Sequence, residues 1–311
     1  MIVETRPEVL RPRLSNPVAT IGNFDGVHRG HQAIFARVLE RAGALGGTSV
    51  AITFDPHPLK VLAPGRAPDL IATPRQKLAF IEAAGIDAVL NLRFDAALAD
   101  TGAEEFVDAY LRDALALREV YVGATFNFGR GREGTADTLV ALCAARGITA
   151  GKVGEVRFLG SPVSSSRIRR AVRAGEVELA AELLGRPFAV EGTVRHGAGR
   201  GAGLGFPTAN LEARSELVPG DGVYVTRTRA GDSVLSSVTN IGSRPTFADQ
   251  DFAVETHLLD AQLDLYDSEI EVSFLARLRQ ELRFASAQAL VEQVHRDVER
   301  ARAWFAAEAG R

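Results

Sequence analysis

The sequence predicts an α/β protein with two domains, an N-terminal parallel sheet covered by helices and a smaller antiparallel β-barrel followed by a C-terminal helix. Three observations lead to this fold class. The chain has 311 residues, and domains average about 150 residues. Apolar runs alternate with amphipathic segments from Val18 to Val156, which is typical of a parallel sheet. After Gly185-Arg186-Pro187 the pattern changes to short apolar alternations separated by Gly, Pro and Asp, which favours a small barrel or sandwich.

The N-terminal part contains alternating strands and helices, distinguished by the period of their apolar residues. Thr101 is expected to cap one helix, with Glu104 three residues on as its capping-box partner. Ligands of parallel sheets bind at the carboxyl ends of the strands, so the loops after the first, second and fourth strands are candidate site loops. The predicted elements are strands Val18–Ile21, Thr48–Phe54, Ile86–Leu92, Val120–Gly123 and Ile148–Val153, and helices His28–Arg41, Pro74–Ala84, Thr101–Leu117, Ala136–Ala145, Ser164–Ala174 and Val177–Leu184.

The C-terminal part is predicted to be mostly strands. A long amphipathic helix over Ala285–Glu308 is expected to pack on them. The break at Gly185–Pro187 sets the expected domains at residues 1–186 and 187–311. The predicted strands are Phe188–Val194, Val223–Thr228, Val234–Thr239, Val254–Leu259 and Ile270–Phe274.

Composition and charge exclude several classes of protein. Hydrophobic residues make up 46% of the chain and charged residues 24%, the balance of a globular protein and not of a disordered one. No apolar run is long enough to span a membrane, and residues 1–13 lack the apolar core of a secretory signal. The net charge is +2 up to Arg186 and −5 after it, without the basic excess of a nucleic-acid binder. We therefore expect neither nucleic acid nor membrane as a partner.

The cysteine and lysine content constrains the chemistry further. The single cysteine, Cys143, excludes an intramolecular disulfide and a cysteine-based zinc cluster, and it favours a cytoplasmic location. Its apolar helical surroundings predict a buried structural thiol. The three lysines, Lys60, Lys77 and Lys152, all precede residue 187. A phosphate site in the second domain must therefore use backbone N–H groups, arginine or a metal.

The strongest local motif is the segment from Ile21 to His31, I-G-N-F-D-G-V-H-R-G-H. A strand runs into a glycine-bearing loop and a helix then opens, so His28 and His31 share a face near a helix N-terminus. Free N–H groups and the helix dipole favour an anion there, and two imidazoles can donate to phosphate oxygens. The alternatives are a plain surface pair of histidines, or a zinc site for which a third ligand is lacking.

Two further segments have the composition of phosphate sites. Ser165 and Ser166 open a helix that carries Arg169 in its first turns, so hydroxyls and a guanidinium can meet a phosphate there; the alternative is a helix cap with a basic turn. Residues 196–210 are rich in glycine. No helix is expected after them, which argues against a dinucleotide-binding fingerprint, and the chain has no G-x-x-x-x-G-K-[ST] motif of a Walker-type kinase.

These motifs together resemble the bacterial bifunctional riboflavin kinase/FAD synthetases. G-x-F-D-G-V-H-x-G-H resembles the signature of the nucleotidylyltransferase superfamily, and G-F-P-T-A-N at residues 205–210 resembles the riboflavin-kinase signature. Other segments match in order, among them F-D-P-H-P at 54–58, S-S-S-R-I-R at 164–169 and E-T-H at 255–257. The resemblance covers about residues 18–305 and implies a Rossmann-like, nucleotidyltransferase-like first domain.

For the first domain the resemblance implies FMN adenylyltransferase activity, in which His28 and His31 contact the ATP phosphates. The rigid F-D-P-H-P loop and the aromatic residues of V-G-A-T-F-N-F-G then suit the walls of a flavin pocket, although a turn and core packing are the alternatives. The implied ATP or phosphate contacts are Gly22, Phe24, Asp25, Ser165, Ser166 and Arg169, and the implied flavin contacts are Phe54, Pro56, Pro58, Phe126 and Phe128.

For the second domain the resemblance implies riboflavin kinase activity. Glu255 holds the position of the general base that accepts the proton of the riboflavin 5′-hydroxyl, whereas a lone strand glutamate is otherwise usually solvated. Thr208 and Asn210 would hold Mg²⁺, which prefers hard oxygen ligands. The N–H groups of the glycine loop, represented by Gly201, Gly203 and Gly205, would cradle the phosphates.

The sequence leaves some alternatives open. Thr125, Asn127 and Asp267 stand at points where the chain departs from the family pattern. Thr125 is the only residue that hints at one rival hypothesis, a kinase with an impaired adenylyltransferase domain. The other rival is a non-catalytic flavin-binding regulator, and the intact motif residues argue against it. The expected small molecules are riboflavin, FMN, FAD and ATP, and the oligomeric state stays open.

Overall fold

The computed structural model describes residues 1–196, 206–243, 252–261 and 263–310, apart from the side chains of Ser243 and Ala287. The chain divides into two compact units, Met1–Ser165 and Ser166–Arg311. The first unit holds an α/β sheet and the second a β-barrel, so the predicted fold class is confirmed. No helix among the described residues is long and apolar enough to cross a membrane.

The first unit alternates strands and helices. Its strands are β1 Ile2–Glu4, β2 Val18–Ile21, β3 Ser49–Asp55, β4 Ala88–Arg93, β5 Glu119–Gly123, β6 Asn127–Phe128, β7 Gly134–Thr135, β8 Thr149–Val153, β9 Arg157–Phe158 and β10 Ser161–Pro162. Its helices are α1 Pro7–Leu10, α2 Arg29–Ala44, α3 Pro58–Leu62, α4 Pro74–Ala83, α5 Ala96–Asp100, α6 Ala103–Phe106, which continues as a π-helix over Val107–Ala114, and α7 Ala136–Ala144.

Six parallel strands form the main sheet in the order β1-β4-β3-β2-β5-β8. All four residues of β2 are buried, as expected for a strand covered by helices on both faces. The strand order reverses direction at β2, with β3 on one side and β5 on the other. A crevice for a ligand forms at such a switch point, so the loops after β2, β3 and β5 are brought to one edge.

The predicted helix cap at Thr101 is wrong. Its hydroxyl donates to the Ala97 carbonyl at 3.1 Å, within the preceding helix. The cap residue of α6 is Gly102, and the Glu133 carboxylate accepts the Ala103 N–H at 2.7 Å. A distant carboxylate therefore replaces the local hydroxyl that the sequence suggested.

Two helices precede the barrel, α8 Ser165–Arg173 and α9 Val177–Leu184. The boundary between the units falls after Ser165, so the rest of α8 and all of α9 belong to the second unit. Six antiparallel strands then close into a barrel in the order β11-β12-β15-β14-β13-β16. Closure leaves no free sheet edge. The elements are β11 Phe188–Arg195, β12 Ala209–Ala213, β13 Gly222–Ala230, β14 Ser233–Ser243, β15 Phe252–Leu258, β16 Glu269–Arg279 and α10 Ala287–Ala309.

The inside of the barrel is partly polar. Five buried hydroxyls form a chain in which each neighbouring pair of oxygens is 2.8 Å apart, in the order Thr228, Ser237, Thr226, Thr239 and Thr256. Buried polar groups need such partners. The chain therefore links β13, β14 and β15 from within.

Helix α10 packs on the outside of the barrel, as predicted for the last helix. Val298 and Ala301 lie in one buried apolar cluster with Val223 and Val225 of β13. Arg279 at the end of β16 also pairs with the buried carboxylate of Asp297 at 2.8 Å. These contacts fix the helix against the strands that it covers.

Candidate functional site

The loop between β2 and α2 has an unusual backbone conformation. Phe24 and Val27 have φ values of 47° and 40°, in the left-handed region that L-residues disfavour. Phe24 is buried and packs edge-on against Phe35, with ring centroids 4.9 Å apart. A Cβ at Gly22 would lie 2.9 Å from the Phe24 ring, so this packing requires glycine there. Strained backbone of this kind persists where the surrounding contacts fix it.

Asp25 anchors the same loop to the residues before α4. Its buried carboxylate accepts hydrogen bonds from the backbone N–H groups of Ile71 at 3.0 Å and Ala72 at 3.3 Å. Its backbone carbonyl accepts a hydrogen bond from Ser165 Oγ at 3.4 Å. These contacts give Asp25 a clear role in holding the loop, while its contact with ATP stays a prediction.

The two histidines of H-x-G-H lie together at the start of α2. The His28 ring caps the helix, with Nδ1 accepting the backbone N–H of His31 at 3.4 Å. The two rings are stacked with centroids 3.6 Å apart and an interplanar angle of 18°. A Cβ at Gly30 would lie 3.0 Å from His28 Cε1. The glycine of the motif therefore makes room for the stacked His28 ring.

The contacts of the two rings determine which nitrogens can donate. Because His28 Nδ1 accepts a backbone N–H, the proton of a neutral His28 ring sits on Nε2. Burial, together with the neighbouring His28, lowers the pKa of His31 well below 6.5. His31 is therefore neutral at pH 7, and its buried Nδ1 has no hydrogen-bond partner among the described residues. The pair lies at a helix N-terminus, where the dipole favours an anion.

The serine-rich motif at residues 164–169 opens α8. Ser165 is its first helical residue and contacts the β2–α2 loop through Asp25. Ser166 and Arg169 follow on α8 in the second unit, and the Arg169 side chain is buried. Contact of these three residues with a phosphate stays a prediction.

The F-D-P-H-P loop, residues 54–58, includes the last two residues of β3 and continues beyond the strand at the same edge of the sheet. Phe54 is partly buried, and its ring meets Phe94 edge-on at 5.7 Å. Pro56 is exposed, whereas Pro58 begins α3. The ring nitrogen Nε2 of His57 lies 3.3 Å from Asn23 Nδ2, which joins this loop to the one after β2.

The two aromatic residues predicted after β5 differ in exposure. Phe126 and Phe128 stack with centroids 5.5 Å apart. Phe128 is buried and also meets the ring of Phe106 at 5.9 Å, inside the core cluster of the sheet. Phe126 is only partly buried, so it is the member of the pair with surface left for a ligand. Asn127 turns back on its own loop, since its Nδ2 donates to the Thr125 carbonyl at 2.8 Å.

Sequence reasoning missed Lys77. Its side chain is buried in the first turns of α4, and Nζ donates to the Phe54 carbonyl at 2.9 Å, next to the F-D-P-H-P loop. Lysines are almost never fully buried, so a lysine in a sequence is ordinarily assigned to the surface. The signal that could have identified Lys77 is its position among the apolar residues of a predicted helix.

The second candidate site lies on the outer face of the barrel. Asn210 on β12 is directly opposite Glu255 on β15, and Glu255 is directly opposite Asn240 on β14. Directly opposite residues project to the same face of a sheet. The neighbouring Thr256 belongs to the buried hydroxyl chain inside, so the three polar side chains face outward. Sequence reasoning predicted Asn210 and Glu255 here but gave Asn240 no role.

The segment before β12 is tied to the same strands. His257 Nδ1 lies 2.9 Å from the Pro207 carbonyl oxygen. The Phe206 ring meets His257 and His295 edge-on, with centroids 5.6 and 4.7 Å away. Thr208 therefore lies between Pro207, whose carbonyl contacts His257, and Ala209, the first residue of β12. The predicted phosphate contacts Gly201, Gly203 and Gly205 lie outside the described residues.

Asp267 stands where the family pattern has a glycine. The backbone at this residue is left-handed and not extended. Its φ is 58°, a conformation that aspartate tolerates better than most residues. Its carboxylate pairs with Arg195 at 2.7 Å. The ion pair holds the turn beside the last residue of β11.

The donor atoms of the barrel site suit a hard cation. The predicted ligands are the Thr208 hydroxyl and the Asn210 amide oxygen, and both are hard oxygen donors of the kind that Mg²⁺ accepts. No group of three or more histidine, cysteine or acidic side chains with metal-binding geometry occurs in the part of the chain that the structure describes. A metal held by Thr208 and Asn210 would take its other oxygens from substrate phosphates and water, as Mg²⁺ sites with phosphates do.

Comparison with known proteins gives consistent matches over both units. A family model for FAD synthetase matches residues 11–167, and one for riboflavin kinase matches residues 184–305. The bifunctional riboflavin kinase/FMN adenylyltransferase of Pseudomonas fluorescens is 44% identical over 303 residues, which cover 97% of each chain. The protein of the same name from Escherichia coli strain K12 is 38% identical over 93% of this chain and 92% of its own.

One solved structure is similar over nearly the whole chain. It is named as a macrolide-efflux protein from Streptococcus pneumoniae, and it superposes with a TM-score of 0.87 at 30% sequence identity. The match covers 97% of this chain and 98% of that one. The order of the two units along the chain is therefore shared with a solved structure.

Proposed function

Because the chain belongs to the family of bifunctional riboflavin kinases/FMN adenylyltransferases, we propose that it is an enzyme with two ATP-dependent activities. The second unit phosphorylates riboflavin to FMN. The first unit transfers an adenylyl group from another ATP to FMN, yielding FAD and pyrophosphate. The observation that carries the proposal is that polar side chains cluster separately in each unit, the stacked pair His28 and His31 in one and the opposed pair Asn210 and Glu255 in the other.

In adenylyl transfer, a phosphate oxygen of FMN attacks the α-phosphorus of ATP. The new P–O bond forms while the bond to the β-phosphate breaks, and pyrophosphate leaves. The nucleophile is already anionic, so no base is required. His28 donates its Nε2–H to the phosphate oxygens, where negative charge must be stabilised. Ser165, Ser166 and Arg169 are proposed to hold the remaining phosphates, and Phe54 and Phe126 the flavin.

In the kinase reaction, the riboflavin 5′-hydroxyl attacks the γ-phosphorus of ATP and ADP leaves. A neutral hydroxyl is a poor nucleophile, so Glu255 accepts its proton as the bond forms. Asn240 and Asn210 flank Glu255 on the neighbouring strands, which supports this assignment because amide groups can orient a carboxylate. Thr208 and Asn210 would hold Mg²⁺, which neutralises phosphate charge when bound.

Each activity is proposed to reside in one part of the chain, residues 1–186 for adenylyl transfer and residues 187–311 for the kinase. Helices α8 and α9 belong to the barrel unit. Two hydrogen bonds join this helical segment to the barrel. Arg277 of β16 donates its backbone N–H to the Glu178 carboxylate of α9 and a side-chain N–H, from Nη1, to the carbonyl of Ala174, which directly follows α8, both at 3.0 Å.

Two fragments test this division. Fragments 166–311 and 187–311 should both make FMN, because both contain all the proposed kinase residues. The longer one should unfold at a higher temperature, since it keeps the contacts of Ala174 and of Glu178 on α9 with Arg277 of β16. A folded fragment that cannot make FMN would contradict the assignment.

The whole proposal is tested by incubating the protein with riboflavin, ATP and Mg²⁺ and separating the flavins by liquid chromatography. FMN followed by FAD is the expected result. FMN alone would identify a kinase with an impaired first unit, and unchanged riboflavin would identify a flavin-binding protein without turnover. The cytoplasmic location expected from the sequence stays a prediction that cell fractionation can test.

A further inference from the structure

Lys77 is a buried cation at the edge of the sheet where the β2 and β3 loops meet. It lies one turn into α4 and is only 9% exposed. Its Nζ donates to the Phe54 carbonyl at 2.9 Å and to Thr53 Oγ1 at 3.3 Å. Burying an ammonium group costs several kcal/mol unless hydrogen bonds and charges compensate. A position of this kind therefore needs a reason in the surrounding structure.

The contacts of Lys77 reach both strand-end loops. Thr53, which accepts one of its hydrogen bonds, donates its own hydroxyl proton to the Asn23 carbonyl at 3.2 Å. Phe54, which accepts the other, begins the F-D-P-H-P loop. One ammonium group is thus connected to the loop after β3 directly and to the loop after β2 through one hydroxyl.

The residues just before Lys77 also bind the β2–α2 loop. The backbone N–H groups of Ile71 and Ala72 bind the Asp25 carboxylate. Thr73 and Gln76 form a capping box that stiffens the start of α4. We call residues 71–77 the brace, because this short segment binds the β2–α2 loop at one end and the β3 loop at the other.

Charge supports the same arrangement. Burial lowers the pKa of Lys77 from its usual 10.5, and the nearby carboxylates of Asp55 and Asp25 act in the opposite direction. Each of these aspartates belongs to one of the two loops. The ammonium therefore attracts both loops toward the brace.

We propose that Lys77 is a positioning residue for adenylyl transfer, because it sets the separation between the loop that carries the histidine pair and the loop that carries Phe54. The inference rests on the function proposed above for the first unit. Each loop keeps its own shape without Lys77, since Phe24, Asp25 and the His28 cap fix the first and His57 caps the second. Asn23 and His57 join the two loops by an exposed contact at 3.3 Å, and Lys77 adds a buried connection that aligns one loop with the other.

This role predicts a specific kinetic pattern. Two substrates held by two loops react at a rate that depends on their mutual alignment, and a misplacement of about 1 Å can cost a factor of about 100. Lys77→Met, which keeps the length of the side chain without its donors, should lower kcat for FAD formation by about 10- to 100-fold. The KM for ATP should change by less than about threefold, because the histidine loop keeps its shape.

The experiment measures FAD formation from supplied FMN and ATP in the full chain, for wild type, Lys77→Met, Lys77→Gln and Lys77→Arg. Lys77→Arg keeps charge and donors and should recover part of kcat; Lys77→Gln keeps a donor without the charge and should fall between Lys77→Met and Lys77→Arg. Lys152→Met is the matched control, since Lys152 is exposed on β8 and forms an ion pair with Asp137 at the surface. FMN formation by the second unit in the same samples reports the amount of intact protein.

The outcomes separate this proposal from the function on which it rests. A wild-type protein that makes no FAD would contradict the proposed activity itself. A Lys77→Met protein with wild-type kcat, or one whose loss appears entirely in the KM for ATP, would overturn the positioning role while leaving the activity in place. If Lys77→Met does not unfold cooperatively, the same comparison is made with Lys77→Gln, and a Lys77→Gln protein with wild-type kcat would overturn the proposal equally.

Discussion

The two units place their candidate catalytic groups by different physical means. In the first unit the groups stand on loops, and buried contacts such as Asp25 with Ile71 and Lys77 with Phe54 hold those loops in shape. In the barrel, the ladder between β12, β15 and β14 alone brings Asn210, Glu255 and Asn240 side by side. Loop sites therefore depend on tertiary contacts that can be removed one at a time, whereas the barrel site depends on strand register.

The largest effect should come from changing the chemistry of the barrel site without disturbing its register. Glu255→Gln is nearly isosteric but cannot take a proton, so kinase turnover should fall by about 10²–10⁴-fold. Riboflavin binding should remain, and adenylylation of supplied FMN should persist. Glu269→Gln, on β16, is the matched control for loss of one strand carboxylate. Near-normal FMN production by Glu255→Gln would leave Glu255 as a structural residue.

The loop site should respond next most strongly, to loss of its imidazoles. His28→Ala or His31→Ala should lower FAD formation by about 10²–10³-fold, the scale for losing one donor to a transition state. FMN formation in the same chain should be unchanged, because the kinase residues lie in the other unit. Equal damage to both activities, measured with separate substrates, would indicate that the pair supports folding instead.

A smaller effect should follow from shifting a loop-site ring without removing it. Gly30→Ala places a Cβ 3.0 Å from His28 Cε1, so the stacked ring must move and FAD formation should fall about tenfold. Alanine also favours the helix by up to about 1 kcal/mol, so the thermal stability should not fall. Gly43→Ala in the same helix is the control, since nothing lies within 4 Å of its new Cβ. Loss of activity in both variants would contradict the role assigned to Gly30.

The smallest predicted effect is on stability and pH. The folded pKa of His31 lies well below 6.5, chiefly because of burial. As the pH falls below 6.5 the unfolded chain binds a proton that the folded chain does not, so the stability of the first unit decreases, by at most about 1.4 kcal/mol per pH unit. Denaturant unfolding between pH 7 and pH 5 should show a shallower dependence for His31→Asn. Identical slopes would mean that His31 is protonated in the folded chain.

Sequence reasoning succeeded where a local pattern decides the structure. The apolar runs predicted β2, β3 and β5 almost to the residue, and the H-x-G-H spacing placed the two histidines together at the start of a helix. It could not give the φ values of Phe24 and Val27 or the cap of α6, because these depend on partners such as Glu133 that are distant in sequence. The same holds for the burial of Lys77.

The barrel shows the same limit in another form. The strand β12 was missed, since Gly, Pro and Asn around residues 205–210 are poor strand formers. It forms because β11 and β15 provide hydrogen-bonding partners on both sides. The choice between barrel and sandwich was also open in the sequence, and the pairing of β11 with β16 decides it.

The hydroxyl chain inside the barrel has a consequence for the protons that it contains. Five hydroxyl protons serve the four bonds that join Thr228, Ser237, Thr226, Thr239 and Thr256. One proton is therefore surplus within the chain, and its location fixes the direction of every bond, because all the other hydroxyls must donate toward it. Five arrangements satisfy the same oxygen positions. The strand that carries Glu255 thus rests on a core whose oxygen positions are compatible with five different directions of hydrogen bonding.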